Sequence, residues 1–229
     1  MYACEIILAL EELHKNDIIY RDLKPDNVVV DHEGHVRLTD FGLSKENVHD
    51  DELTMSFCGS TAYLAPEMIK RSGHGKAVDW YLLGVLIYEM VTGIPPFYSN
   101  DKKKMMKNIL KQKIRLPSFV SKKARNIIKM LLTRDPEKRL GSGKFDAQIV
   151  KSHPWFEDVN WEDVLNRKLP VPTKFGGEAP DQPDISMGSH LIKAQDDSNL
   201  LRPTAEDTNY IEGWSFHQHV GSHGEQEFS

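Results

Sequence analysis

The stretch from Asp79 to Thr92, DWYLLGVLIYEMVT, constrains this chain more than any other. It is apolar nearly all the way round a helical projection, and a helix without a polar face has to be enclosed by other elements. At 14 residues it is too short for a bilayer, which takes roughly 20. The enclosure must therefore be protein, with this helix in the middle of the domain. Gly93-Ile94-Pro95-Pro96 ends it. With 39% hydrophobic positions in 229 residues, there is enough apolar material to build that enclosure as one domain with a core.

The enclosing elements follow from periodicity. Residues 2–15 place Ile6, Leu10 and Leu13 at helical spacing with Ile7 beside them, which predicts an amphipathic helix ending near Lys15-Asn16. After the short apolar segment Ile18-Ile19-Tyr20 comes a polar loop through Asn27. Val28-Val29-Val30, the turn Asp31–Gly34 and Val36–Thr39 predict a small hairpin. Residues 43–64 have no period and are rich in Ser and Thr, as a long functional loop would be. Further helices are expected over about 101–112 and 121–132, the second capped by Ser121 and buried along Ala124, Ile127, Ile128, Leu131 and Leu132. Past Phe156 the period fades, and from about Thr173 an extended tail is expected.

Charge narrows the function classes. The net charge is −5, yet residues 178–229 hold ten acidic and two basic residues, so the body is mildly basic and the tail acidic. That is not the pattern of a nucleic-acid binder. Lys102, Lys103, Lys104 and Lys107 read as the solvated face of a helix. No apolar run approaches 18 residues, which predicts no membrane span. Cys4 and Cys58 make no disulfide framework, so a reducing, cytoplasmic or nuclear setting is expected.

Four patterns then occur in a fixed order. The first is Tyr20-Arg21-Asp22-Leu23-Lys24-Pro25-Asp26-Asn27. A short Arg-Asp turn alone would be an ordinary solvated loop, but eight residues in this arrangement match the catalytic loop of phosphoryl-transfer enzymes. Asp22 would accept and orient the substrate hydroxyl, Lys24 would neutralise the transferring phosphoryl group, and Asn27 would hold a magnesium ion. The second is Asp40-Phe41-Gly42, 18 positions after Asp22 with the hairpin between. Asp40 would ligate Mg²⁺ on the ATP phosphates, while Phe41 would pack inward. The third is Ala65-Pro66-Glu67, whose glutamate needs a buried cation; Arg139 in Asp135-Pro136-Glu137-Lys138-Arg139 is the candidate. The fourth is Asp79-Trp80, where Asp79 would hydrogen-bond the catalytic-loop backbone from below.

Together these motifs resemble the AGC group of serine/threonine protein kinases, near the protein kinase B and ribosomal S6 kinase families. Tyr20 in place of the usual His and Thr54-Met55-Ser56-Phe57-Cys58-Gly59 carry the likeness to the group. The resemblance implies a protein-kinase-like (α+β) fold: a mainly helical large lobe over 1–156, then an AGC tail over 157–229. It implies ATP and Mg²⁺ as cofactors, protein substrates with Ser or Thr, and a monomer activated by a phosphoinositide-dependent-type kinase. It also implies that Ser56 is the activation-loop phosphosite, with Arg21 and Lys45 as its phosphate-binding pair. Ser60 resembles the hydroxyl linking Asp22 and Lys24, and Val29 the apolar floor beneath adenine. Asp26 and Glu89 resemble the carboxylates that read arginines upstream of the target residue. In the tail, Ile211-Glu212-Gly213-Trp214-Ser215-Phe216 resembles a hydrophobic motif with Ser215 as its phosphosite, though Ile211 and Trp214 replace the usual aromatic pair. Ser60-Thr61-Ala62 departs from the usual Thr-Pro-Glu.

The 229 residues contain no Gly-rich phosphate loop and no Val-Ala-Ile-Lys strand. The expectation is an N-terminally truncated chain without its small lobe, inactive alone. The alternative is a short form that binds substrates or a regulator without catalysis. Intact Asp22, Lys24, Asn27 and Asp40 favour the kinase.

Overall fold

The computed structural model describes residues 1–49, 53–54, 60–171 and the backbone of 185–186. Ser56, Cys58, Ser215 and the Ile211–Phe216 motif lie outside the described residues.

Residues Tyr2–Lys15 form α1. The hairpin pairs β1 (Val28–Val30) with β2 (Val36–Leu38), in the antiparallel register Val28↔Leu38, Val29↔Arg37 and Val30↔Val36. Thr39 falls just outside β2. After a short α2 (Pro66–Lys70) comes α3, Ala77–Thr92. Every residue from Val78 to Tyr88 is buried, so α3 is the enclosed helix that its composition requires. It stops at Gly93, whose φ of 85° is a left-handed cap available at little cost to glycine.

Around α3 stand α4 (Lys102–Lys111) and α5 (Lys122–Leu131). Asp101 caps α4 by accepting from the amides of Lys103 and Lys104. Ser121 caps α5 by accepting from the Ala124 amide. The α5 stripe Ala124, Ile127, Ile128 and Leu131 is buried, and so is Leu132. Gly84 permits the close approach of α3 to α5, because a Cβ there would lie 2.8 Å from the Leu131 side chain. Lys102, Lys103, Lys104 and Lys107 are exposed on α4.

Two expectations need correction. The chain past Phe156 is not simply irregular: α6 (Asp146–Lys151) is followed by α7 (Trp161–Leu165), which packs on α1. Further on, Ile185–Ser186 adds β3 to the free edge of β1, giving the order β2-β1-β3. The sequence shows no period at α7 because five residues bury one side chain, Val164. On α1 the buried residue near the C-terminus is His14, while Leu13 is only half-buried. Among the described residues, no helix is long and apolar enough to cross a membrane.

Candidate active site

The site is built where the backbone leaves α1. Ile19 pairs with Lys45 through reciprocal N–H···O bonds of 2.9 Å. Next, the amides of Tyr20 and Arg21 both donate to Asp79, at 2.9 and 2.7 Å. Asp79 lies in the first turn of α3 and is completely buried. Arg21 has a φ of 67°, a left-handed conformation that costs a non-glycine residue about 1–3 kcal/mol. The bond from its amide to Asp79 holds it there.

This bend presents Asp22, only 3% exposed. Its Oδ2 accepts from Lys24 Nζ at 2.8 Å and from Asn27 Nδ2 at 2.7 Å. Asn27 Nδ2 also donates to the Asp22 carbonyl at 2.8 Å, which ties both ends of the loop together. Asp22 Oδ1 is buried and has no hydrogen-bond partner. Leaving a buried acceptor unsatisfied costs about 1–3 kcal/mol, so such an atom marks a place where a donor is meant to arrive.

Asn27 ends a short 3₁₀ turn, Pro25–Asn27, that leads directly into β1. Hairpin pairing brings Thr39 alongside, its amide donating to the Asn27 carbonyl at 2.9 Å. Asp40 therefore follows the far end of the same hairpin that Asn27 begins. Asp40 is exposed with a φ of 53°, and its Oδ1 accepts from the Gly42 amide at 3.1 Å. Asn27 and Asp40 offer oxygen donors, the kind Mg²⁺ takes when water and phosphate complete its shell. Among the described residues no group of three or more His, Cys, Asp or Glu forms a protein cage for a metal. The donor set thus fits an ion brought in with a nucleotide.

Phe41 does not pack inward. It is 50% exposed, touching Tyr20 edge-on at 5.3 Å between ring centroids. With Leu13, Ile18, Ser44, Lys45 and Glu46 it lines an open depression of about 680 Å³. The Tyr20 hydroxyl donates to the Thr39 carbonyl. Burial, then the nearby Asp22 carboxylate, push its pKa upward, so it stays a neutral donor. Val29 is half-buried in the middle strand of the sheet.

Several residues lie around this centre. Arg21 Nε donates to the Leu43 carbonyl at 2.6 Å, and Lys45, bridged to Ile19, is exposed. Among the described residues no hydrogen bond joins Ser60 to Asp22 or Lys24, so the linking role expected of Ser60 is not seen in this geometry. Glu67 and Arg139 form a bidentate buried pair at 2.6 and 2.8 Å, and Arg139 also donates to the Ala77 and Thr133 carbonyls. Asp26 is exposed, whereas Glu89 is half-buried and accepts from the Tyr63 hydroxyl. Burial raises Glu89 to about 7; the Tyr63 bond opposes this and Asp26 adds to it.

Sequence reasoning passed over His14 and Asp146, and gave Trp80 no partner. His14 Nε2 bonds Asp79 at 2.9 Å, its Nδ1 bonds Asp146, and Trp80 Nε1 donates to Asp146 at 2.7 Å. The available signal was a histidine four positions after Leu10 on the buried face of α1.

Comparison with known proteins agrees with this geometry. The family profile described as protein kinase domain matches residues 1–156. Ribosomal protein S6 kinase beta of Caenorhabditis elegans is 49% identical over 173 residues, which is 76% of this chain and 32% of that protein. Ribosomal protein S6 kinase alpha-6 of Danio rerio is 41% identical over 215 residues, 94% of this chain and 29% of that protein. Serine/threonine-protein kinase gad8 of Schizosaccharomyces pombe is 47% identical over 173 residues, 76% of this chain and 30% of that protein. The chain therefore spans about a third of the length of the curated relatives it matches. By these matches it belongs to the protein kinase domain family, in the AGC group of serine/threonine kinases.

Proposed function

We propose that the protein carrying this chain transfers the γ-phosphate of ATP to serine or threonine hydroxyls of proteins, with arginines preferred upstream of the target. The observation that carries this reading is the Asp22 carboxylate. One oxygen is held by Lys24 and Asn27, and the other is buried without a partner. That free oxygen accepts the hydrogen bond of the incoming hydroxyl and takes its proton as the phosphoryl group transfers. Lys24, already beside the carboxylate, supplies positive charge to the same point. ATP and Mg²⁺ supply the phosphoryl group and its charge neutralisation, with Asn27 and Asp40 offering oxygen ligands. Arginine preference is supported by Asp26 and the half-buried Glu89, which suit a guanidinium fork. We propose Ser56 as the site of an activating phosphorylation by another kinase, its phosphate received by Arg21 and Lys45.

The 229-residue chain by itself should turn over negligibly. Phosphoryl transfer is mostly positioning, and the reacting oxygen must meet phosphorus held within about 3–3.5 Å. Among the described residues nothing covers the nucleotide phosphates or pairs a strand lysine with them. The test is to assay the chain, and the chain fused to an AGC small lobe, with Mg·ATP and an arginine-rich peptide. The fusion should be active, and Asp22→Asn should lower its turnover by about 10³-fold or more. Comparable turnover by the unfused chain, or an active Asp22→Asn fusion, would overturn the reading.

A further inference from the structure

Asp79 accepts from the amides of the catalytic loop, but a buried carboxylate can hold a backbone only if it is itself held. What holds it is His14, and what holds His14 is Asp146. We propose that Asp146 is a positioning residue: its carboxylate clamps a charged His14 against Asp79, and so fixes the catalytic-loop backbone from the far side of the domain.

The contacts around the ring point to its charge state. His14 Nε2 lies 2.9 Å from Asp79 Oδ2, and His14 Nδ1 lies 3.0 and 2.9 Å from the two oxygens of Asp146. Ionised carboxylates only accept, so both ring nitrogens must carry a proton. His14 is therefore an imidazolium, 2% exposed, between two carboxylates. Burial opposes that charge, but the bonds to Asp146 and Asp79 outweigh it and lift the group to about 9.

Among the described residues the groups bonded to the brace come from four places, while buried His74 and the Tyr20 phenol feel the Asp79 charge without bonding its side chain. From α1 comes His14; from α3 come Asp79 and the Trp80 indole N–H, donating to Asp146 Oδ1 at 2.7 Å. From α6 comes Asp146, and from the loop come the Tyr20 and Arg21 amides. Trp80 also packs edge-on against His14, 5.2 Å between ring centroids.

Asp146 opens α6, where an acidic first turn is mildly favourable, yet its own backbone is strained. Its φ is 38°, a left-handed conformation that an aspartate occupies at a cost and a glycine does not. Local backbone preference therefore argues for glycine at this position. The carboxylate is retained against that preference while making three polar contacts, all of them to the brace. Removing it leaves Nδ1 without an acceptor, the ring free to turn, and Asp79 short of its cation.

The consequence for phosphoryl transfer rests on the role given above to Asp22, but the test does not. On ¹⁵N-labelled 229-residue chain, NMR should show both His14 ring N–H protons at neutral pH and a titration midpoint near 9. In Asp146→Asn the midpoint should fall by about one unit or more. Amide exchange at Tyr20 and Arg21 should quicken about tenfold, while Leu83 and Val85 inside α3 change by less than about twofold. Asp146→Gly, which relieves the backbone, should give the same loss at Tyr20 and Arg21.

A wild-type His14 midpoint near its ordinary value of 6.5 overturns the proposal. Unchanged Tyr20 and Arg21 exchange in either folded variant overturns it too. Should neither variant fold, the wild-type chain decides. Raising the pH through 9 must accelerate Tyr20 and Arg21 more than the intrinsic rise of exchange with pH, and unchanged protection refutes the brace.

Discussion

The two sides of the active site are built on different terms. On the substrate side, the chain from Tyr20 to Asn27 is clamped from within the fold: buried Asp79 from below, Asn27 across its own ends, and buried His14 with half-buried Asp146 behind. On the nucleotide side, Asp40 is exposed, Phe41 is half bare, Lys45 is exposed and Val29 is only half-buried. Both sides carry residues proposed for the chemistry, but only one carries them preorganised. The difference lies in where the partners come from. Asp22 is fixed by residues of this chain, whereas Asp40 and Phe41 are exposed, with the Gly42 amide and the Tyr20 ring as close partners among the described residues. A catalytic base can be readied by its own lobe, while a phosphate site has to be closed by something laid over it.

If that contrast is real, the heaviest losses come from the clamped side. Arg139→Met strips the cation from a Glu67 that is 3% exposed. An uncompensated buried charge costs about 3–5 kcal/mol, so urea denaturation should show most of the chain's stability gone. Adding Glu67→Gln should recover part of the loss, because the penalty belongs to the unpaired charge. A single-variant loss below about 1 kcal/mol would remove Glu67–Arg139 from the frame.

The brace adds a pH-dependent term of similar size. His14 is raised in the fold from 6.5 to about 9, so its contribution is complete below 6.5 and is lost as pH rises through 9. A shift of that size is worth about 3 kcal/mol. Denaturation at pH 6 and pH 9.5 should show that loss in wild type and its absence in His14→Gln. Equal pH dependence in both would detach His14 from the stability of the clamped side.

The sequence discloses these features unevenly, and for physical reasons. The enclosed helix is found by being apolar all round, α1 and α5 by apolar residues repeating every turn, and Ser121 announces the start of α5. Glu67 and Arg139 stand 72 positions apart, yet a motif surrounds each and names it as half of a pair. His14, Asp79 and Asp146 stand 65 and 132 positions apart with no motif around His14 or Asp146. A periodicity argument places Leu13 on the buried stripe and misses that the fold wants a cation one position later. Phe41 was misread for the opposite reason: its motif tells what such a residue does when covered, and here it is half exposed.

Glu89 lies near Asp26 and Tyr63, and its effect is smaller. Burial raises its carboxyl from 4.5 to about 7, against the Tyr63 bond and with help from Asp26. Stability from this group is therefore present below 4.5 and is lost as pH rises through 7. Recognition of arginine runs the other way, since only the carboxylate pairs with a guanidinium. Between pH 6 and 8 the ionised fraction goes from about 10% to about 90%. In the lobe-fused enzyme, preference for an upstream arginine over alanine should then rise about tenfold. Glu89→Gln should flatten that rise, and a flat wild-type profile would remove Glu89 from substrate reading.

The smallest effect is expected on the open side, and it sharpens the comparison most. Phe41 belongs to a motif central to the reaction, so by importance alone its loss should be severe. By packing it should not be. The ring is 50% exposed and its one aromatic contact is edge-on to Tyr20 at 5.3 Å. Emptying a fully buried phenylalanine costs about 3–5 kcal/mol because a cavity is left behind. Here no cavity forms, since the ring lines an open depression. Phe41→Ser in the 229-residue chain should therefore cost about 0.5–1 kcal/mol, and should reduce binding of a hydrophobic dye to that depression. In a fusion carrying a small lobe the same substitution should cost several-fold more, because a partner surface would then cover the ring. A loss above about 3 kcal/mol in the unfused chain would mean that the nucleotide side is as tightly built as the substrate side, and the contrast between them would collapse.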